Sequence, residues 1–175
     1  MSEDAGSVVT AVERLYAGEP ADAPGGAGGE RFFLDDLTVG QRFVSATREI
    51  SKARIMSFAS EFDPQPFHLN EDLAQASFFK GLAASGWHTA ALTMRLLVDG
   101  GLPLAGGLIG AGLEMEWPRP TRPGDMLHVE SEIVAISPSK SRPDRGIVTA
   151  RGETRNHRNE VVQIMTVKLV VMRKS

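Results

Sequence analysis

The sequence predicts an α+β domain in which one long buried helix packs against a long, curved antiparallel sheet. Three observations carry this. Four alternating runs follow one another in the second half, at 108–117, 125–136, 146–155 and 161–172. Turn residues separate them: the prolines 118, 120 and 123, then Pro138 to Asp144, then Asn156 to Asn159. Before them, an apolar run follows Ser85 at helical spacing. Consecutive strands joined by turns point to an antiparallel meander.

The elements follow in order. A short helix fits 7–16, with Val8, Val12, Leu15 and Tyr16 on one face. Residues 17–30 are almost all Gly, Ala, Pro and acid, too little apolar surface to offset their ordering entropy. A flexible extension is therefore expected over 1–30, and a single domain over 31–175. The run 41–50 alternates as a strand does. Ser51 is placed to cap a helix whose stripe is Ile55, Met56, Phe58, Ala59 and Phe62. Asp63 stops it, because the residue before a proline is pushed out of helical geometry. Asn70 can cap a second helix over 71–79. Ser85 can cap the longest one, with Trp87, Ala90, Ala91, Met94, Leu97 and Val98 as its main stripe and Leu92 and Leu96 beside it. A helix apolar on most of its circumference is expected to be buried. Asp99, Gly100 and Gly101 end it.

Composition narrows the function. With 175 residues, 42% hydrophobic and 23% charged, the chain suits a soluble domain with a real core. A net charge of -3 gives no electrostatic case for nucleic acid. The absence of cysteine excludes disulfides, thiolate metal sites and a cysteine nucleophile. The first residues are acidic and no apolar signal core follows them. The longest apolar stretch, 102–113, is broken by four glycines and falls short of the roughly 20 residues a membrane span takes. No membrane association and a cytoplasmic location are the expectations.

The chemistry-bearing feature is Asp63-Pro64-Gln65-Pro66-Phe67-His68, followed by Ala84-Ser85-Gly86-Trp87. It sets a carboxylate and an imidazole five residues apart in a stiff turn, ahead of a helix N-terminus. An acid, a base and backbone N–H donors are the parts needed to move a proton beside a polarised carbonyl. Alone, Asp63 reads as a turn residue and His68 as a satisfied loop histidine. Their joint spacing with Gly86 reads as a catalytic pair. Ser85 reads first as an N-cap. Phe67 and Trp87 suit either an acyl pocket or the core, and Gln65 suits either the substrate or its own loop. His88 reads as a partnered histidine at a packed interface, His128 as structural and His157 as solvated. No two histidines have metal-ligand spacing, so no metal is expected. Arg119, Arg122, Lys140, Arg142 and Arg145 lie in two turns and read as solvated charges, or as partners for a phosphorylated tail. No glycine-rich nucleotide fingerprint follows a strand.

These motifs resemble the MaoC-like dehydratase family, over roughly residues 33–172. The likeness rests on Asp63 to His68, on Phe79-Lys80-Gly81, on Ala84-Ser85-Gly86 and on Pro123-Gly124-Asp125. Two positions depart from the common pattern: Gln65 stands where many hydratases have Asn, and Ser85 where many have His. The resemblance implies a hot-dog fold and (R)-specific enoyl-CoA hydration or the reverse dehydration. It implies no redox cofactor, the acyl-CoA or acyl carrier protein thioester being the substrate, and a homodimer with the site near its interface. On this reading Asp63, His68 and the Gly86 N–H are catalytic, and Gln65, Phe67, Ser85 and Trp87 bind substrate. Two rivals are an acyl-CoA thioesterase of the same fold and a non-catalytic acyl-CoA-binding subunit. The first commonly carries its carboxylate on the central helix, where this chain has none before Asp99.

Overall fold

A computed structural model describes residues 30–174. The short helix expected at 7–16, and the expected flexible extension apart from Glu30, lie outside the described residues. In chain order the elements are β1 (Arg42–Val44), β2 (Arg48–Glu49), α1 (Lys52–Phe62), α2 (Pro66–Leu69), α3 (Glu71–Ala76), α4 (Gly86–Leu96), β3 (Ile109–Glu116), β4 (Met126–Pro138), β5 (Arg145–Arg155) and β6 (Val161–Met172). The sheet is open, with strand order β1-β4-β5-β6-β3 and β2 also beside β4. All its strand pairs are antiparallel.

The expected meander holds for β4, β5 and β6 but not for β3. That strand crosses to the far edge and pairs with β6. Alternation shows which face of a strand is buried and not which strand lies beside it. The expected strand over 41–50 is split in two. At Ser45 the N–H donates to the Val129 carbonyl at 2.9 Å, and the side-chain Oγ accepts from the Val129 N–H at 2.9 Å. The side chain thus replaces a backbone acceptor, and the ladder stops there.

The helix caps form as their residue types require. Ser51 Oγ accepts from the Arg54 N–H at 3.3 Å, Asn70 Oδ1 from the Leu73 N–H at 3.0 Å, and Ser85 Oγ from the Trp87 N–H at 3.2 Å. The third helix is shorter than expected, ending at Ala76 where Ser77 Oγ donates to the Ala74 carbonyl. The central helix α4 runs into a π-helical turn, Leu97–Gly101, in which Gly100 takes φ 138°, a left-handed value open to glycine.

The face that α4 buries is only partly the expected one: Leu92, Leu96 and Leu97 are buried as expected, but most of the main stripe is not. His88, Thr89, Leu92, Thr93 and Leu96 turn inward. Trp87, Met94 and Val98 are exposed, Trp87 by 63% and Met94 by 46%. The inward threonines are accepted because the sheet and the loop after β3 supply partners. Thr89 Oγ1 donates to Thr121 Oγ1 at 3.0 Å, and Thr93 and Thr154 share a hydroxyl hydrogen bond of 2.7 Å. Burying a hydroxyl is costly only when it stays unpaired. Ile55 and Ala59 of α1, with Leu127, Val129 and Ile133 of β4, complete the core around this helix.

Candidate active site

The segment joining α1 to α4 builds the site. Asp63 ends α1, and Pro66 starts the one-turn helix α2 that carries His68. The imidazole is buried, and its Nδ1 lies 2.8 Å from the Ala83 carbonyl oxygen. A carbonyl only accepts, so Nδ1 holds the proton and donates it. The Nε2 lone pair is left to face Asp63 Oδ2 at 3.4 Å.

Asp63 is held from three sides. Gln65 Nε2 donates to its Oδ1 at 2.7 Å, the Ser85 hydroxyl bonds the carboxylate, and His68 lies beyond. Burial pushes its pKa up, but the hydrogen bonds from Ser85 and Gln65, and the positive charge of His68 whenever that ring is protonated, outweigh it. The net value is below the ordinary carboxylate range. Asp63 is therefore ionised at neutral pH. Ser85 is fully buried, accepting from Trp87 and bonded to Asp63, so its hydroxyl is engaged inside the protein.

These groups open on a cleft of about 470 Å³. Asp63, Gln65, Phe67, His68, Gly86 and Trp87 border it, so six of the seven residues singled out from the sequence meet there. The seventh, Ser85, lies just behind. Gly86 is the first residue of α4, where the N–H has no acceptor within the helix and the helix dipole is positive. Its glycine has a visible cause: an added Cβ would lie 2.9 Å from Trp117 Cε2.

The other marked residues separate clearly. His88 is buried and stacked on Phe58, with ring centroids 4.5 Å apart, yet its Nδ1 has no hydrogen-bond partner. The expectation of a partnered histidine is corrected on that point. Burial, and then the Arg54 charge, lower its pKa to about 4. His128 is half-buried beside Glu130, and His157 is exposed near Asp125 and Arg158. Arg122 is not a solvated charge: its guanidinium donates to the carbonyls of Phe79, Gly81 and Leu82. Arg145 pairs with Asp144, at the opposite end of β4 from the cleft together with Lys140 and Arg142. Arg119 borders the cleft mouth. Among the described residues, no group of three His, Cys, Asp or Glu side chains could hold a metal ion.

The profile of the MaoC like domain matches residues 36–156. The chain belongs to the MaoC-like family. Its fold is the hot-dog fold of that family: the crystal structure of the MaoC-like dehydratase from Rhodospirillum rubrum superposes with a TM-score of 0.81 at 64% identity, covering 82% of this chain and 99% of that one. The uncharacterised protein YdeM of Bacillus subtilis is 36% identical over 71% of this chain and 88% of its own length. The (R)-specific enoyl-CoA hydratase of Rhodospirillum rubrum is 31% identical over 62% of this chain and 74% of its own. The family and these relatives support hydration or dehydration as the general chemistry.

Three residues of this MaoC-like domain support the site in ways not expected from sequence. Arg122 ties down 79–82, and the Ala84 N–H donates to the Thr121 carbonyl at 2.9 Å, so the strip carrying the Ala83 carbonyl is fixed from both ends. Trp117 forms a cleft wall, and Gln163 bonds it. Gln163 had a signal: it is the one polar member of the series Gln163, Met165, Val167, Leu169, Val171 on β6.

Proposed function

We propose that the protein catalyses reversible hydration of an enoyl thioester, or dehydration of the 3-hydroxyacyl thioester, with Asp63 and His68 as the proton-transferring pair. The observation that carries this is the His68 ring. Its Nδ1–H is spent on Ala83, and its Nε2 lone pair faces an ionised carboxylate at 3.4 Å beside an open cleft. In hydration, a water held by Asp63 and His68 gives a proton to Nε2 as its oxygen attacks C3. The imidazolium hands that proton to Asp63, and Asp63 protonates C2. The net change is H at C2 and OH at C3, and the reverse sequence expels water. The thioester oxygen gains negative charge on the way, and the Gly86 N–H at the head of α4 is placed to receive it. Only a proton and a hydroxide equivalent move, so the chemistry asks for no metal and no redox cofactor.

In this reading Gln65 orients Asp63, Ser85 supports it from behind, and Phe67 and Trp87 line the acyl site. The substrate is an acyl-CoA, or alternatively the thioester of an acyl carrier protein, with Arg119 at the mouth as the cation placed for a phosphate. The thioesterase reading is disfavoured, because α4 carries no carboxylate and Asp99 beyond it is paired with Arg95 at 2.7 Å. The proposed working unit is a homodimer. Strand β3 is a sheet edge, and Met94 of α4 and Leu113 of β3 lie together beside it as exposed apolar side chains. Among the described residues no helix is long and apolar enough to cross a membrane, and a cytoplasmic location belongs to the same proposal.

The test is the absorbance of the conjugated enoyl thioester on mixing with crotonyl-CoA and longer enoyl-CoAs. Wild type should bleach it. Asp63→Asn should bind the thioester with similar affinity and fail to turn it over. Binding without turnover by wild type, on every chain length, would contradict the hydratase reading and favour a binding subunit.

A further inference from the structure

The cleft is continued by a second, apolar space. A groove of about 300 Å³ lies between α4 and strands β3 and β6, walled by Met94, Leu97, Leu113, Met115 and Met165. The two spaces sit end to end along α4. Gly86, Trp87 and Thr89 of its first turn face the cleft, while Ala90, Thr93, Met94 and Leu97 further along face the groove.

The Trp117 indole stands at their junction. It borders the cleft and packs on Gly86 so closely that no Cβ fits between. Its Nε1–H donates to Gln163 Oε1 at 2.9 Å, and Gln163 is part of the groove wall. Gln163 is 1% exposed, and its Nε2 has no partner. An amide buried with half its hydrogen bonding unmet is costly, and an aliphatic side chain would fill this place on β6 without that cost. What the amide supplies is one acceptor, aimed at the indole N–H.

We infer that Trp117, pinned by Gln163, is a chain-length gate between the catalytic cleft and the apolar groove. This rests on the hydratase reading and sharpens its substrate class. With the gate closed the enzyme takes short enoyl thioesters. Without the indole, the acyl chain runs on along α4 into the groove.

The experiment measures kcat/KM for crotonyl-CoA and trans-2-octenoyl-CoA on the full chain, for wild type, Trp117→Ala and Gln163→Leu. Circular dichroism establishes that each is folded. Wild type should prefer crotonyl-CoA. Trp117→Ala should raise the octenoyl-to-crotonyl ratio at least about tenfold, since even one methylene in an apolar pocket is worth roughly that factor. Gln163→Leu, which frees the indole without removing it, should move the ratio the same way by less. A folded Trp117→Ala with an unchanged ratio, or a wild type that already prefers octenoyl-CoA, overturns the gate. If Trp117→Ala does not fold, Gln163→Leu decides by the same ratio. If wild type turns over neither substrate, the hydratase reading fails by itself. The gate is then decided by calorimetry with butyryl-CoA and octanoyl-CoA: a Trp117→Ala shift toward octanoyl-CoA sustains it, and no shift overturns it.

Discussion

His68 and His88 are buried almost equally, 4% and 6% exposed, yet their surroundings give them opposite characters. Around His68 a backbone carbonyl takes the Nδ1 proton, and an ionised carboxylate waits on the other side to balance a charge gained at Nε2. Around His88 there is a stacked phenyl ring, the positive charge of Arg54 and no partner for Nδ1. The first surroundings allow a ring to take up and pass on a proton. The second keep it neutral. Burial does not make a base; the two atoms that meet the ring nitrogens do.

The largest effects should fall on the first histidine's surroundings. His68→Ala should lower kcat for crotonyl-CoA hydration by roughly 10²–10⁴, the span of general acid–base catalysis. His88→Phe, assayed beside it, should keep its rate, and equal losses in both would end the contrast. Asp63→Asn keeps the shape and removes the charge. It should cost kcat in the same range with little change in KM, measured by steady-state kinetics.

A smaller loss is expected one step away. Arg122→Gln frees the 79–82 carbonyls and loosens the strip that presents Ala83 to His68. It should lower kcat by roughly 10–100-fold through misplacement of the ring. It should also cost about 2 kcal/mol of stability in a urea melt, the scale of lost charged hydrogen bonds. Arg122→Lys should restore part of kcat, and a pH–rate profile unchanged in shape would argue against positioning.

An effect confined to acid pH concerns His88. Its folded pKa is lowered to about 4, against an ordinary 6.5. Between those values the unfolded chain binds a proton that the folded chain does not. His88 therefore has no such effect above pH 6.5, and it lowers stability progressively as pH falls toward 4. His88→Phe should flatten that acid limb, read from thermal melts across the range. An equally steep limb in the variant would contradict it.

The candidate site was more legible in the sequence than its supports, for a physical reason. Asp63, His68 and Gly86 lie on one short segment whose geometry is set locally by Pro64, Pro66 and the Ser85 cap. The same holds for Ser51 and Asn70 at their helices. Trp117, Gln163 and Arg122 act across 40 or more residues, through contacts that no local pattern encodes. The inward face of α4 was partly misread because hydropathy counts Thr89 and Thr93 as poor core residues, while Thr121 and Thr154 supply what their hydroxyls need. Of the apolar stripe expected there, Leu97 is buried, while Trp87, Met94 and Val98 are exposed. The place of β3 at the far edge was equally unreadable, since alternation is the same beside either neighbour.

The most direct test of the central claim is the tautomer of the two rings, by nitrogen-15 NMR of the full chain labelled in histidine, titrated from neutral pH to 4. The account predicts that neutral His68 carries its proton on Nδ1 with Nε2 free, and that His88 stays neutral until about pH 4. A neutral His68 protonated on Nε2 would leave no lone pair facing Asp63, and would contradict the account.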